Sequence, residues 1–194
     1  MRLQNGSFPM VNLDDLIEVH ENALEDNVCD FLISVFEQLP DFHEKYENEG
    51  KPNFTQFNLT EHCKITDEID QVHNHLIRRT LEFKDRYYEM VDARCFPPEN
   101  QFEQYRIKKY NNDGNDRFDT HVDVMDYASS RRFLSFFWYL NDVETGGETR
   151  FNTLSVTPKK GTLVIFPPLW MYPHRGEIPV SNPKYLLSTY LHYK

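Results

Sequence analysis

The hydrophobic periodicity of the chain changes near residue 100, and this change limits the folds that are available to it. Before this point, apolar side chains recur every three to four residues, as on the buried face of a helix. After it, short segments rich in aromatic and β-branched residues alternate with turn residues, which is typical of β-strands. A chain of 194 residues with this order predicts helices packed on the outside of a β-sandwich or open barrel.

Two amphipathic helices are predicted in the first half. One carries apolar residues at helical spacing from Val28 to Leu39 and is ended by Pro40. The other begins at Thr66, a suitable N-cap residue with two acidic residues in the turn that follows, and ends near Ala93. A short extended segment at 16–19 precedes them, and the polar segments 47–58 and 111–120 are predicted to be irregular. The second half predicts strands at residues 102–110, 120–124, 132–140, 149–151, 154–157, 163–166 and 185–193.

The composition excludes several classes of protein. The chain contains 15 Phe, 11 Tyr and 2 Trp, which argues against disorder. Its formal charge of -10 disfavours non-specific binding to nucleic acids and to anionic membranes. The aromatic content and the net charge do not indicate a function. They predict a globular protein whose partner is neither a nucleic acid nor a membrane.

The cysteines and the termini predict a cytoplasmic location. Cys29, Cys63 and Cys95 are odd in number and far apart, so reduced thiols are expected in place of a disulfide framework. The first residues lack the apolar core of a signal peptide, and no stretch approaches the roughly 20 apolar residues of a membrane span.

His121 and Asp123 are the first candidate functional residues. Residues two apart on a strand project to the same face, so the pair is predicted to bind one metal ion together. His174 follows the strand predicted at 163–166 and can reach the same end of a barrel. Two imidazoles and one carboxylate, with the opposite face of the ion left open, form the ligand set of non-haem Fe(II) oxygenases.

Several further motifs occur in a fixed order around this group, and together they give the chain a family resemblance. It resembles the prolyl 4-hydroxylase-like branch of the Fe(II)/2-oxoglutarate-dependent dioxygenases, over most of its length and least between residues 41 and 100. The matching residues, in order, are Tyr110, His121-Val122-Asp123, Tyr139-Leu140-Asn141-Asp142, Gly146-Gly147-Glu148-Thr149, Phe151, Pro158, Gly161, Phe166, His174 and Lys184-Tyr185.

The resemblance implies a mainly β protein with N-terminal helices, of the α+β class. Its core would be a double-stranded β-helix, or jelly roll, in which two antiparallel sheets face each other and helices brace one of them. We expect a single domain over residues 1–194, with a helical part at about 1–100 and the jelly-roll core at about 101–194.

The resemblance also implies roles for individual residues. His121, Asp123 and His174 would be the iron ligands, and Lys184 would pair with the distal carboxylate of 2-oxoglutarate. The candidates for further contacts with this co-substrate are Tyr110, Thr149 and Tyr190, and the candidates for contacts with the substrate are Arg132 and Trp170. For these five residues, an ordinary structural or surface role is the alternative.

The implied reaction is the hydroxylation of a substrate by O2, with decarboxylation of 2-oxoglutarate to succinate, on Fe(II), with ascorbate as a supporting reductant. The substrate implied by this branch is a prolyl residue in a peptide or protein. The same chemistry on a free amino acid or another small molecule is the alternative. A cupin-like metalloenzyme and a non-catalytic metal-binding module are two further alternatives, although a cupin has no reason to keep Lys184 behind the metal. The sequence does not indicate an oligomeric state.

Overall fold

The structure, a computed structural model, describes residues 12–47, 52–91 and 96–194. The helices are α1 (Asp26–Gln38), α2 (Leu59–His62) and α3 (Asp67–Met90), with short 3-10 helices at Leu13–Leu16 and Pro40–Phe42. The strands are β1 (Glu18–His20), β2 (His43–Glu47), β3 (Asn53–Asn58), β4 (Asn100–Phe102), β5 (Arg106–Tyr110), β6 (Phe118–His121), β7 (Arg132–Tyr139), β8 (Thr149–Phe151), β9 (Ser155–Val156), β10 (Leu163–Phe166), β11 (His174–Gly176) and β12 (Lys184–Tyr193).

The strands form two sheets whose inner faces pack together. Within the described residues, the larger sheet has eight strands in the order β1-β10-β7-β12-β5-β3-β2, with β4 also paired to β12. The smaller sheet has four strands in the order β6-β11-β8-β9. Neighbouring strands run antiparallel in both. This arrangement confirms the predicted jelly-roll core with N-terminal helices.

The alternation of side chains along β7 shows why the core has two layers. Phe136 and Trp138 point outward and pack beneath α1 and α3, in a cluster that includes Leu32 and Leu76. Phe137 and its alternate neighbours point inward, between the two sheets, in a cluster of aromatic and aliphatic residues. Because both faces of β7 are covered, it reads as a nearly continuous apolar run, Arg132-Phe-Leu-Ser-Phe-Phe-Trp-Tyr139. The inner layer also walls the site described below.

The helix boundaries follow the predicted signals. The Thr66 hydroxyl accepts a hydrogen bond from the Ile69 amide at 3.2 Å, so Thr66 caps α3 as expected. The helix ends at Met90 and α1 ends at Gln38, two residues before Pro40. Burial of the apolar stripe of each helix on the sheet explains why both form.

The strand predicted at 102–110 is wrong in one respect, because it is divided into β4 and β5. Both strands pair with the same edge of β12. In the gap between them, the Glu103 amide donates to the Tyr190 carbonyl at 2.8 Å. The Thr189 hydroxyl donates to the Glu103 carbonyl at 2.9 Å. These bonds replace the regular pattern of strand pairing at residues 103–105. The sequence there still has the composition of a strand, so the interruption could not be predicted.

Three other predictions near the sheets need correction. The segment 47–58 is not irregular throughout, because 53–58 is β3, which pairs with β2; residues 48–51 lie outside the described part. The strand predicted at 120–124 runs instead from Phe118 to His121, since the Val124 amide turns away to the Pro168 carbonyl at 3.2 Å. Strand β11 was not predicted, because its three residues show no periodicity. The expected helical part thus also supplies β1, β2 and β3 to the large sheet.

Cys29 and Cys63 are free, buried thiols, and Cys95 lies outside the described residues. Burial raises the pKa of Cys29 to about 12, so this thiol stays protonated at neutral pH. None of the helices in the described ranges is both long and apolar enough to cross a bilayer.

Gly161 joins the N-terminal segment to the sheet, and we expect Gly161→Ala to be strongly destabilising. Its carbonyl accepts hydrogen bonds from the Ala23 and Leu24 amides at 2.8 and 3.1 Å. Its φ is +75°, and an added Cβ would meet the Leu24 carbonyl oxygen, leaving no room for alanine. The free energy of unfolding, measured with denaturant, should fall by about 3 kcal/mol.

Gly114→Ala is the matched control, because Gly114 also has a positive φ, +86°, but an added Cβ meets nothing within 4 Å. Its cost should be limited to the backbone penalty of about 1 kcal/mol. Equal losses in the two variants would show that the contact with Leu24 contributes nothing.

Candidate active site

His121, Asp123 and His174 converge between the two sheets. His121 ends β6 and His174 begins β11, and the two residues are direct partners in the antiparallel register. The Asp123 carboxylate reaches both rings: one oxygen lies 3.5 Å from His121 Nε2 and the other 3.6 Å from His174 Nε2. One ligand atom from each residue lies within 4.8 Å of the others. The predicted grouping is therefore present, although Asp123 lies beyond the end of β6 and the strand alternation assumed for the pair does not extend to it.

Both imidazoles are held with Nε2 toward the centre of the group. His121 Nδ1 donates to the Asp119 carbonyl at 2.7 Å, and His174 Nδ1 donates to the Tyr172 carbonyl at 3.1 Å. Because a carbonyl only accepts, the hydrogen of each neutral ring is on Nδ1 and the lone pair is on Nε2. His174 Nε2 is buried and has no hydrogen-bond partner among the described residues. Burial also lowers the pKa of His174, which favours the neutral ring that a metal requires.

The Asp123 carboxylate is fixed by hydroxyl groups from the large sheet. The Tyr190 hydroxyl donates to Oδ1 at 3.0 Å, and Ser135 Oγ donates to Oδ2 at 3.4 Å. Burial alone would raise the pKa of Asp123, but its interactions with the side chains of His174, His121 and Lys108 outweigh burial, so the pKa lies well below its usual range. The carboxylate is thus ionised and oriented at neutral pH. Tyr190, for which a contact with the co-substrate is predicted, bonds to this carboxylate.

A narrow cavity of about 20 Å³ extends inward from this group, and Lys184, Tyr110 and Thr149 line it. Lys184 begins β12 directly opposite Tyr110 at the end of β5. Its ammonium group lies 5.0 Å from the Tyr110 ring centroid and donates to the Gly147 carbonyl at 2.7 Å. Thr149 Oγ1 accepts a hydrogen bond from the Tyr139 hydroxyl at 2.7 Å. The structure therefore brings these three predicted residues to one cavity.

Lys184 is almost fully buried, with 1% of its surface exposed. Burial is the main reason that the pKa of Lys184 falls to about 7, and Lys108 lowers it further. Glu148 and Glu177 act in the opposite direction but do not compensate. Because burial makes the charged form of Lys184 unfavourable, an anion that entered the cavity would stabilise it. Lys184 is therefore a candidate binding group for an anion.

A wider groove of about 630 Å³ lies beside His121 and Asp123, which line part of it. Arg132 lines it and forms two hydrogen bonds to the Glu103 carboxylate, at 2.7 and 2.8 Å. The Arg132 guanidinium also lies over the Tyr190 ring, 4.1 Å from its centroid, and donates to the Asp123 carbonyl at 3.1 Å. Trp170, the other predicted substrate contact, is 78% exposed and lines neither the cavity nor the groove.

Lys108 is the main residue that sequence reasoning missed. It lines both the cavity and the groove, next to Asp123, and 9% of its surface is exposed. Strand alternation from Tyr110 was the available signal, because residues 108 and 110 share one face of β5. Phe118 was also missed; its ring stacks on His121 with the centroids 3.5 Å apart.

A second group with metal-binding atoms consists of Cys63, Asp70 and His73. Its donors are already engaged, because the Asp70 carboxylate pairs with Lys64 Nζ at 2.6 Å and His73 Nε2 bonds to Thr60 Oγ1 at 3.0 Å. The group centred on His121 is therefore the stronger metal candidate among the described residues.

Residues 105–192 match the sequence profile of the 2OG-Fe(II) oxygenase superfamily. This part of the chain belongs to that superfamily. The match contains all three converging residues as well as Lys184, Tyr110, Thr149 and Tyr190. No curated protein matches the sequence significantly.

Solved structures similar to this chain include several prolyl hydroxylases. A viral collagen prolyl hydroxylase from Paramecium Bursaria Chlorella virus-1, solved with 2-oxoglutarate, has a TM-score of 0.69 and 23% identity, over 92% of this chain and 97% of that one. A Pseudomonas putida prolyl-4-hydroxylase has a TM-score of 0.69 and 18% identity, over 94% and 97%. A Trichoplax adhaerens prolyl hydroxylase, in complex with a peptide fragment of hypoxia inducible factor, has a TM-score of 0.72 and 12% identity, over 92% and 84%. These likenesses confirm the fold.

The bond from Tyr190 to Asp123 leads to a prediction about metal affinity. Tyr190→Phe removes the hydroxyl and keeps the ring under Arg132, so Asp123 loses its closest hydrogen-bond donor. We expect the affinity for Mn(II), measured by calorimetry, to fall about tenfold. Tyr193→Phe, at a residue that is 48% exposed, serves as the control and should leave affinity unchanged. An unchanged affinity in Tyr190→Phe would show that the hydroxyl does not orient Asp123.

Proposed function

We propose that this protein is an Fe(II)- and 2-oxoglutarate-dependent dioxygenase, with His121, Asp123 and His174 as the iron ligands. One observation carries the proposal: two Nε2 atoms and a carboxylate meet at one point, each imidazole is fixed through Nδ1, and His174 Nε2 has no described partner. Two imidazoles and one carboxylate suit Fe(II) and leave positions on the ion for other ligands. The residues present therefore fit the metal.

The inner cavity supports 2-oxoglutarate as the co-substrate. Lys184 would pair with its distal carboxylate, and Tyr110 would hydrogen-bond the same group. Thr149 is the candidate for a third contact. A cavity of about 20 Å³ has room for about one water molecule. We therefore expect the side chains around it to move apart when the co-substrate enters.

When bound, Fe(II) and 2-oxoglutarate supply the oxidising chemistry, with O2 as the oxidant and succinate and carbon dioxide as products. The protein's residues position and protect this chemistry. The rings of Phe137, Phe151 and Phe166 lie 4.9 to 5.9 Å from the His174 ring and exclude water from its buried side. The Tyr190 hydroxyl keeps the Asp123 carboxylate turned toward both histidines.

A prolyl residue in a peptide or protein is the proposed substrate. An open groove of about 630 Å³ lies beside His121 and Asp123, and the similar structures are named as prolyl hydroxylases, one of them in complex with a peptide fragment. Hydroxylation of a free amino acid is the second candidate, favoured by the basic side chains in the groove. We also propose a cytoplasmic location, which the free thiols of Cys29 and Cys63 support.

The test supplies the full-length protein with Fe(II), ascorbate and 2-oxoglutarate, and measures succinate with and without a proline-rich peptide or free L-proline. We expect succinate formation above the His174→Ala background and a hydroxylated product from one of the two substrates. Full activity in Lys184→Ala would favour a cupin-like enzyme. Succinate no higher than the background with every substrate would favour a non-catalytic metal-binding module.

A further inference from the structure

The inner face of β5 carries two cations beside the metal ligands. Every second residue of this strand lies on the same face: Arg106 lines the groove, Tyr110 lines the cavity, and Lys108 lies between them. In the sheet register, Lys108 lies opposite Leu186 of β12 on one side and Gln56 of β3 on the other. Lys108 lines both spaces, so its ammonium group lies where the cavity meets the groove.

The charge of Lys108 has no partner among the described residues. Among the described residues, its Nζ has no hydrogen-bond acceptor and no carboxylate at ion-pairing distance. The Nζ atom lies 5.2 Å from the centroid of the Phe54 ring. Burial lowers the pKa of Lys108 to about 8; Asp123 raises it, and Arg106 and Arg132 lower it further. A largely desolvated ammonium group without a protein acceptor would be stabilised by a ligand that supplies one.

The two arginines near Lys108 differ in how their charges are balanced. Arg132 is neutralised by its two hydrogen bonds to Glu103. Arg106 bonds to the neutral side chain of Gln104 and forms no ion pair within the described ranges. Arg106 and Lys108, two residues apart on one face, thus provide two cations that form no ion pair with the described residues.

Three carboxylates on the groove wall, those of Glu44, Glu61 and Asp126, are not paired with either cation. Glu44 accepts hydrogen bonds from Gln56 at 3.0 Å and from Tyr46 at 3.2 Å. Glu61 accepts one from Asn58 at 3.0 Å, and Asp126 accepts one from Ser129 Oγ at 2.7 Å. All three keep their negative charges, but none is at ion-pairing distance from Lys108 or Arg106, so both cations remain available for a direct contact with an anion.

We infer that Lys108, together with Arg106, binds a carboxylate of the substrate, so that the substrate class is one with a carboxylate close to the carbon that is oxidised. The inference rests on the proposed function. Lys184, behind the metal ligands, is the cation for the co-substrate, whereas Lys108 faces the groove from which a substrate would approach. The carboxylate has two sources, a free amino acid or an acidic side chain next to the reactive residue in a peptide.

The test measures binding without turnover. Full-length protein is loaded with Mn(II) and saturated with 2-oxoglutarate without oxygen, and is then titrated by calorimetry with two pairs of probes. The small pair is L-proline and L-prolinamide; the peptide pair is acetyl-Ala-Pro-Glu-Ala-amide and the same peptide with Gln in place of Glu. In one pair, the carboxylate should bind about tenfold more tightly than its neutral counterpart, as expected for a charge-assisted hydrogen bond. The pair that shows this preference identifies the source.

Lys108→Met should abolish the preference, and Lys109→Met is the matched control. Lys109 is the next residue on β5, but its side chain is on the other face, where it pairs with Glu37 at 2.7 Å. Its preference for the carboxylate should equal that of the unmodified protein. Arg106→Gln provides an independent variant, in which the preference should decrease, and it decides the question if Lys108→Met does not fold.

Three results would overturn the inference. The first is equal affinity for both members of both pairs, and the second is a preference that Lys108→Met and Arg106→Gln leave unchanged. The third is weaker binding of 2-oxoglutarate in Lys108→Met with the probe preference intact, which would assign Lys108 to the co-substrate. If the unmodified protein binds neither Mn(II) nor 2-oxoglutarate, the proposed function fails first and the inference fails with it.

Discussion

His174→Ala is expected to abolish tight metal binding and, with it, succinate formation. The substitution removes a proposed ligand, whose Nε2 is buried and already oriented by the hydrogen bond from Nδ1 to the Tyr172 carbonyl. Replacing a hydrogen-bonding neighbour of a metal ligand often costs 10- to 100-fold in affinity, so removal of the ligand itself should cost at least about 100-fold. Calorimetric titration with Mn(II) measures the loss, and the succinate assay measures its consequence.

His192→Ala is the control for this experiment. His192 is also buried, near the end of β12, but its ring bonds to Gln101 and to the Tyr193 carbonyl, outside the candidate site. Any general cost of removing a buried imidazole should therefore appear in both variants, as a lower free energy of unfolding. Tight Mn(II) binding that survives in His174→Ala would contradict the assignment of this residue as a ligand.

Lys184→Met is expected to separate stability from function. The side chain is buried, and its pKa falls from 10.5 to about 7. This shift corresponds to about 4–5 kcal/mol of destabilisation when the lysine is charged. Loss of the hydrogen bond to the Gly147 carbonyl offsets about 1–3 kcal/mol of the gain. The ligand-free variant should therefore be more stable than the parent by about 2 kcal/mol at pH 6. Its affinity for 2-oxoglutarate, in the presence of Mn(II), should fall at least about 100-fold.

The pH dependence gives a second measurement of the same effect. Between pH 7 and 10.5, the unfolded chain keeps the proton on Lys184 while the folded protein loses it. The parent protein therefore gains stability from this group as the pH rises through that range. Denaturant unfolding of Lys184→Met should lack this gain, so the stability difference should vanish at about pH 8.5 and reverse by about pH 10. Lys159→Met, at an exposed lysine paired with Glu21, is the control. Unchanged affinity for 2-oxoglutarate in Lys184→Met would reject its proposed role.

The central strands of the fold could be predicted because their side chains report their own environment. In β7, β10 and β12, apolar residues occupy both faces, and burial on both sides of a sheet requires this. Strand β3 could not be recognised in the same way, because Asn53, Thr55 and Gln56 make it look like a loop. Its two buried phenylalanines, Phe54 and Phe57, contact residues distant in the sequence. Local periodicity carries no information about those contacts.

The candidate site shows the same division. His121, Asp123, His174 and Lys184 could be found because their residue types and order are unusual enough to indicate a chemistry. Lys108 shares a face of β5 with Tyr110, but alternation alone did not single it out, because a lysine on a strand is normally exposed and its burial depends on β3 and β12 covering β5. Arg132 was identified, but its Glu103 partner lies in the gap between β4 and β5 that the sequence conceals. Charge balance in the groove therefore required the structure.

Two strands that contribute residues to the candidate site, β12 and β6, should differ in how readily their backbone hydrogen bonds open. Strand β12 is paired along both edges, so its amide hydrogens should exchange with solvent only when the whole domain unfolds. Strand β6, which ends at His121, lies at the edge of the small sheet, with an irregular register to β11. Its amides should exchange through local opening. A metal bound by His121, Asp123 and His174 would hold β6 against β11 and reduce its local opening. The exchange rate of the amides at residues 118–123 would then depend on how long the ion stays bound.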